Sequence, residues 1–241
     1  MKLIAYFFLL GISLPSIAQQ FKDNERKHRK MDMPIVSRTL GASFQKFDGL
    51  NSRVAGLPQY KTLKDYAATL GFGWLKEQNR VISNAGLMIG SSMSGHRDKK
   101  SSTIRYIGIH ADIGYDLLKN EKIMLYPLVG LGLQAYQAIF YKDNSAVNFE
   151  DVLESTAFQN SITPVKFKNG FVVYRAGFGI SFKSPKDPSN SIGIQVGYTG
   201  SFKKNDWKTN DSQSLANSPE DRISQVFVSL ILTSRPGSMM K

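Results

Sequence analysis

The chain has three histidines, His28, His96 and His110. His96 stands among Ser91, Ser92, Ser94 and Asp98, the best local set of hydroxyl, imidazole and carboxylate in the sequence. Nucleophilic catalysis needs the carboxylate to orient the imidazole against the hydroxyl, and the same residue types often gather in polar loops without that geometry. No HExxH, Walker or EF-hand spacing occurs. There is no cysteine, which removes thiolate nucleophiles, thiolate metal sites and disulfides. No catalytic residue, metal site or cofactor is therefore expected. His110 belongs to a different set. His110, Asp112, Asp116, Arg175 and Lys183 share the polar parity of their segments, and Gln134 and Gln195 join them. Charges on an enclosed face are costly unless paired, so these seven predict a polar network.

The elements that would position them show a period of two. Over 106–117, Ile107, Ile109, Ala111, Ile113, Tyr115 and Leu117 alternate with Tyr106, Gly108, His110, Asp112, Gly114 and Asp116. A strand sends successive side chains to opposite faces, so the two sets meet two different solvents. The same pattern runs through 172–183 and 192–199. Weaker copies lie at 34–47, 65–76, 80–92, 123–139 and 222–233. Eight strands of roughly ten residues result, the length a tilted transmembrane strand needs. Glycines recur on the polar parity (Gly71, Gly73, Gly177 and Gly179 among others). That suits the cramped interior of a narrow membrane barrel better than the wet face of a soluble sandwich.

The connections sort by length. Short polar turns are predicted at 76–79, 118–121 and 184–188, and longer links at 48–63, 93–103, 141–168 and 203–221. Outer-membrane barrels have short periplasmic turns and long external loops. With the N-terminus inside, the short turns all fall on the periplasmic side. Aromatics on the apolar parity form two groups, Trp74, Tyr115 and Phe182 toward the short turns and Tyr66, Tyr174, Tyr198 and Phe202 toward the long loops, as interfacial girdles do. Loop 141–168 is the most individual segment. A short helix is predicted over 148–158, in a loop that either binds a partner or covers the barrel mouth.

Residues 1–18 read as a signal peptide. Met1-Lys2 is positive, Leu3 to Leu14 is an apolar run, and Ser16-Ile17-Ala18 offers small residues for cleavage. The run is short for a spanning helix of about 20 residues. Residues 19–33 read as a flexible periplasmic leader, 34–233 as the barrel and 234–241 as a polar tail. The formal charge of the 241-residue chain is +12. Export argues against nucleic acid as the partner of that charge. Lys61, Lys64, Arg97, Lys99, Lys100, Lys203 and Lys204 fall near the predicted outer rim, where lipopolysaccharide phosphates would meet them.

The segments TLGFGW (69–74), IGIHADIGYDL (107–117), YPLVGLGL (126–133), YRAGFGISF (174–182) and the final SQVFVSLILT resemble the outer membrane protein β-barrel domain family, small barrels of the OmpA/OmpX size class. The resemblance spans about 34–233. It implies an all-β, eight-stranded antiparallel up-and-down transmembrane β-barrel in a bacterial outer membrane, inserted by the barrel-assembly machinery and surrounded by outer-membrane lipid and lipopolysaccharide. One departure is the polar tail after Thr233, where many such barrels end on an aromatic residue. The expected role is structural or surface-interacting, with a narrow plugged lumen, no open pore and an extracellular ligand that sequence does not define. The alternatives are a barrel enzyme acting on lipid A or peptides, and a soluble periplasmic carrier of lipocalin type.

Overall fold

A computed structural model describes residues 35–96 and 99–235. The expected signal peptide and leader lie outside them, as do Arg97, Asp98 and most of the polar tail. Eight strands run up and down: β1 (Ile35–Gln45), β2 (Tyr66–Gln78), β3 (Val81–Gly95), β4 (Ser101–Tyr115), β5 (Ile123–Tyr141), β6 (Val165–Lys183), β7 (Ser191–Ser201) and β8 (Ser224–Ser234). Each pairs antiparallel with its neighbours in sequence. β1 pairs with β8 from Val36↔Ser234 to Gln45↔Gln225, which closes the ring. A closed ring has no free edge to template another chain.

The faces divide as the period of two requires, with apolar side chains outward. Val129 is 58 % exposed and Leu128 beside it 3 %. On β6 the outward apolar run extends from Val172 to Phe182. At a tilt of about 45° that run covers roughly 24 Å of height, the height of the lipid-facing band of an outer-membrane barrel.

Several boundaries move. β6 begins at Val165, not near 172, and β4 at Ser101, not 106. In both extensions the outward parity is polar or charged (Thr103, Arg105, Lys166, Lys168), so the sequence pattern of an apolar face stops before the ladder does. The expected long loop at 93–103 is therefore only 96–100, shorter than the opposite turn 116–122. The first turn is also tighter than predicted. Asn79 and Arg80 alone make it, both at positive φ (51° and 69°), the two-residue hairpin whose twist matches the strands. Arg80 is held there by hydrogen bonds from Nε and Nη2 to the Asp116 carbonyl at 3.0 and 2.6 Å, with its guanidinium 4.7 Å from the Tyr115 ring.

Two inward glycines have a packing role. A Cβ on Gly179 would lie 2.3 Å from Cζ of Tyr126, and one on Gly90 2.1 Å from Cε1 of Tyr106. The tyrosines lie flat on the wall where side chains are missing. Gly179→Ala is expected to lower stability by about 1–3 kcal/mol, the usual cost of overpacking. Denaturant unfolding in micelles would measure it. An unchanged midpoint would show that Tyr126 moves aside without strain.

Candidate functional site

The lumen holds three layers. Toward the short turns, Leu75, Ile82, Met124, Tyr126 and Leu128 form an apolar plug. Toward the long loops a larger cluster includes Phe47, Leu50, Tyr106, Tyr136, Phe140 and Trp207. The polar belt lies between. Asp112 on β4 faces Arg175 on β6, with Nε 3.4 Å from Oδ1. His110 Nε2 is 3.7 Å from Asp112 Oδ2, and Asn84 on β3 approaches both at 3.4 Å. The Arg175 guanidinium sits 4.9 Å from the Phe227 ring, where a cation is attracted to the π face. Higher up, Tyr136 donates to Gln134 at 2.9 Å and Gln134 donates across the lumen to Gln225 at 3.4 Å.

The seven residues singled out by parity thus separate. His110, Asp112 and Arg175 form the charged cluster, Gln134 belongs to the belt above it, and Gln195 lines a cavity beside Asp112 and Tyr126. Asp116 organises a turn instead, accepting the amides of Leu118 and Leu125 at 3.1 Å each. Lys183 binds Glu77 at 2.6 Å. Those two stand on β6 and β2, opposite sides of the ring, so their ion pair spans the short-turn end. The cavity amounts to about 10 Å³, room for about one water. A charged cluster enclosed between two apolar layers positions side chains.

The mouth is covered by a different loop from the one the sequence suggested. Helix α1 (Asp48–Ala55) turns Leu50 and Val54 into the barrel. Its N-cap, Phe47, makes no side-chain capping bond, and the orphan amides of a first turn need acceptors. Asp221, from the last loop, supplies them. It accepts Gly49 N at 2.8 Å, Leu50 N at 3.0 Å and Trp207 Nε1 at 2.7 Å. Burial pushes its carboxyl pKa up, against the lowering effect of those same hydrogen bonds. Asn51 adds a reciprocal pair with the main chain of Leu63 (2.8 and 3.2 Å). None of Phe47, Asn51, Trp207 and Asp221 stood out in the sequence. The available signal was the i, i+4 spacing of Leu50 and Val54 and a lone tryptophan in a polar stretch.

Loop 142–164 carries two short helices, α2 (Phe149–Glu154) and α3 (Thr156–Ile162), not one, and neither has a buried residue. Phe149, Leu153 and Phe158 face solvent.

The rim cations form two groups. Lys64 donates to the Tyr66 hydroxyl at 2.9 Å and Lys100 to the Pro58 carbonyl at 3.0 Å, and Lys61 and Lys99 are exposed nearby on the same two loops. Asp143 is held below the usual carboxylate range by the hydroxyl and amide of Ser145, with Lys99 and Lys100 adding to the effect. Lys203 and Lys204 lie on the last loop, and Arg97 is outside the described residues. His96 is exposed, Ser91 points outward, and Ser92 and Ser94 point into the lumen, so these four do not converge on one face.

No family model matches the chain, and no curated protein does. Solved structures with a similar course include Ail, the attachment invasion locus protein of Yersinia pestis, at 15 % identity and TM-score 0.43, covering 83 % of this chain and 99 % of that one. Neisserial surface protein A gives 11 % and 0.44, with 84 % and 96 % covered. A major outer membrane protein from Thermus thermophilus gives 9 % and 0.43, with 83 % and 99 %. Likeness at this level carries no argument; the strand pairings carry the fold. Closed by eight antiparallel strands, apolar outside and polar at mid-lumen, the chain has the architecture of the small outer-membrane barrels of the OmpA/OmpX size class.

Proposed function

We propose that the chain is an integral protein of a bacterial outer membrane with a structural or surface-interaction role, its short turns periplasmic and its long loops extracellular. The observation that carries this is the reversed polarity of the wall. Apolar side chains face outward on every strand while the charged cluster is enclosed, the inverse of a soluble barrel. A lipocalin-like carrier needs an apolar cavity within, whereas this lumen holds a charged cluster between two packed apolar layers. Interaction is favoured by the solvent-facing Phe149, Leu153 and Phe158, since large exposed apolar groups on a rigid scaffold mark contact surfaces. Lipopolysaccharide is the proposed neighbour of the rim cations, and the barrel-assembly machinery the proposed route of insertion.

Cells expressing the full chain would be fractionated, and the membranes run on gels with and without boiling. Recovery in the outer membrane with a heat-dependent mobility shift is expected. Recovery as a soluble periplasmic protein would end this reading.

A further inference from the structure

The outward face of β4, β5 and β6 changes character from one register row to the next. Ile109, Leu133 and Val172 share a row. Ile107, Ala135 and Gly170 form the row nearer the loops, and Arg105, Gln137 and Lys168 the row after that. Lys208 pairs opposite Lys168, and Lys166 stands one step further out on the same face. Among the described residues none of these cations forms an ion pair. Asp206 and Glu220, on the adjoining short ladder, stand opposite each other in register.

The row beneath the cations is hollow. Gly170 and Ala135 leave a groove of about 800 Å³, walled by Ile107, Ile109, Leu133, Val172 and Phe202, with Lys203 at its lip. The overhanging segment 202–205 is tied down by Phe202 N to Val172 O at 3.3 Å and Asn169 Nδ2 to Asn205 O at 2.8 Å. A Cβ on Gly170 would meet nothing nearer than 4.0 Å, so the hollow is open space and not a packing requirement.

We infer that this wall binds one phosphorylated glycolipid of the outer leaflet, lipopolysaccharide, with an acyl chain in the groove and a phosphate over Arg105, Lys168, Lys208 and Lys203. The inference rests on the outer-membrane reading and deepens it to one site. Like charges set opposite each other across a ladder destabilise it, and an anion between Lys168 and Lys208 removes that cost. The groove opens directly below them, on the apolar band, where a chain attached to that anion would lie.

The test uses the full chain refolded in micelles, with the mobility shift verifying a closed barrel. Purified lipopolysaccharide is titrated into wild type, the double variant Arg105→Gln/Lys168→Gln, and Gly170→Leu. One lipid per wild-type barrel is expected. Loss of two surface cations should weaken binding about thirtyfold. Gly170→Leu should weaken it with the mobility shift intact, since the new side chain fills only the groove. Phosphatidylglycerol and dephosphorylated lipid A should compete poorly. Unchanged affinity in either variant, or equal competition by phosphatidylglycerol, would overturn the site. Failure of the outer-membrane reading would appear in the fractionation and not in this titration.

Discussion

Asp112→Ala is expected to destabilise the folded barrel by about 3–5 kcal/mol, because it leaves the buried Arg175 guanidinium without its carboxylate. Arg175 is 5 % exposed, and β6 holds it facing the lumen between two apolar layers. The cost is the stranded charge more than the lost attraction. The double variant Asp112→Ala/Arg175→Met should therefore recover much of the loss, since apolar replacements of a whole buried pair are often neutral or better. Urea unfolding of the wild type and the two variants in micelles decides it. If Asp112→Ala alone cost under about 1 kcal/mol, Arg175 would have to be hydrated, and the lumen would be wetter than its packing implies.

The second large effect is local. Asp221→Ala removes the acceptor of two main-chain amides and the Trp207 indole. Two of the three donors, Leu50 N and the indole, are buried, and each left unmatched costs about 1–3 kcal/mol, so docking of α1 should weaken by about 2–6 kcal/mol while the ring stays closed. The mobility shift should survive, Trp207 emission should move to the red, and cleavage after Arg53 should accelerate. An Asp221→Ala protein with wild-type cleavage rates would mean that Leu50 and Val54 hold the cap unaided. Acidity should act on the same contact. Because burial raises the Asp221 pKa above 3.8, folding disfavours its ionised form. The contribution is fully present below the unfolded Asp value and is lost as pH rises through the folded pKa. Cap protection, followed by hydrogen exchange at Gly49 and Leu50, should therefore increase as pH falls into the window just above the ordinary Asp range.

Strand number, parity and closure were readable in the sequence because lipid and lumen impose opposite demands on alternate residues. Ile107 to Tyr115 and Val172 to Phe182 carry that contrast without interruption. The outer ends of β4 and β6 were not readable, since Arg105, Lys166 and Lys168 lie beyond the apolar band and the contrast vanishes although the pairing continues. Parity likewise placed His110, Asp112 and Arg175 on one enclosed face. It could not say that Asp116 would organise a turn, because a face assignment carries no height along the barrel. The cap was invisible for another reason. It joins single residues from loops far apart in the chain, and no local pattern records such a meeting.

That separation bears on how the molecule is made. Gly49 and Asp221 are 172 positions apart, and Trp207 joins them from the link between β7 and β8. The contact exists only where both ends of the chain have met, so protection of α1 from proteolysis would report a chain that is complete from its first loop to its last.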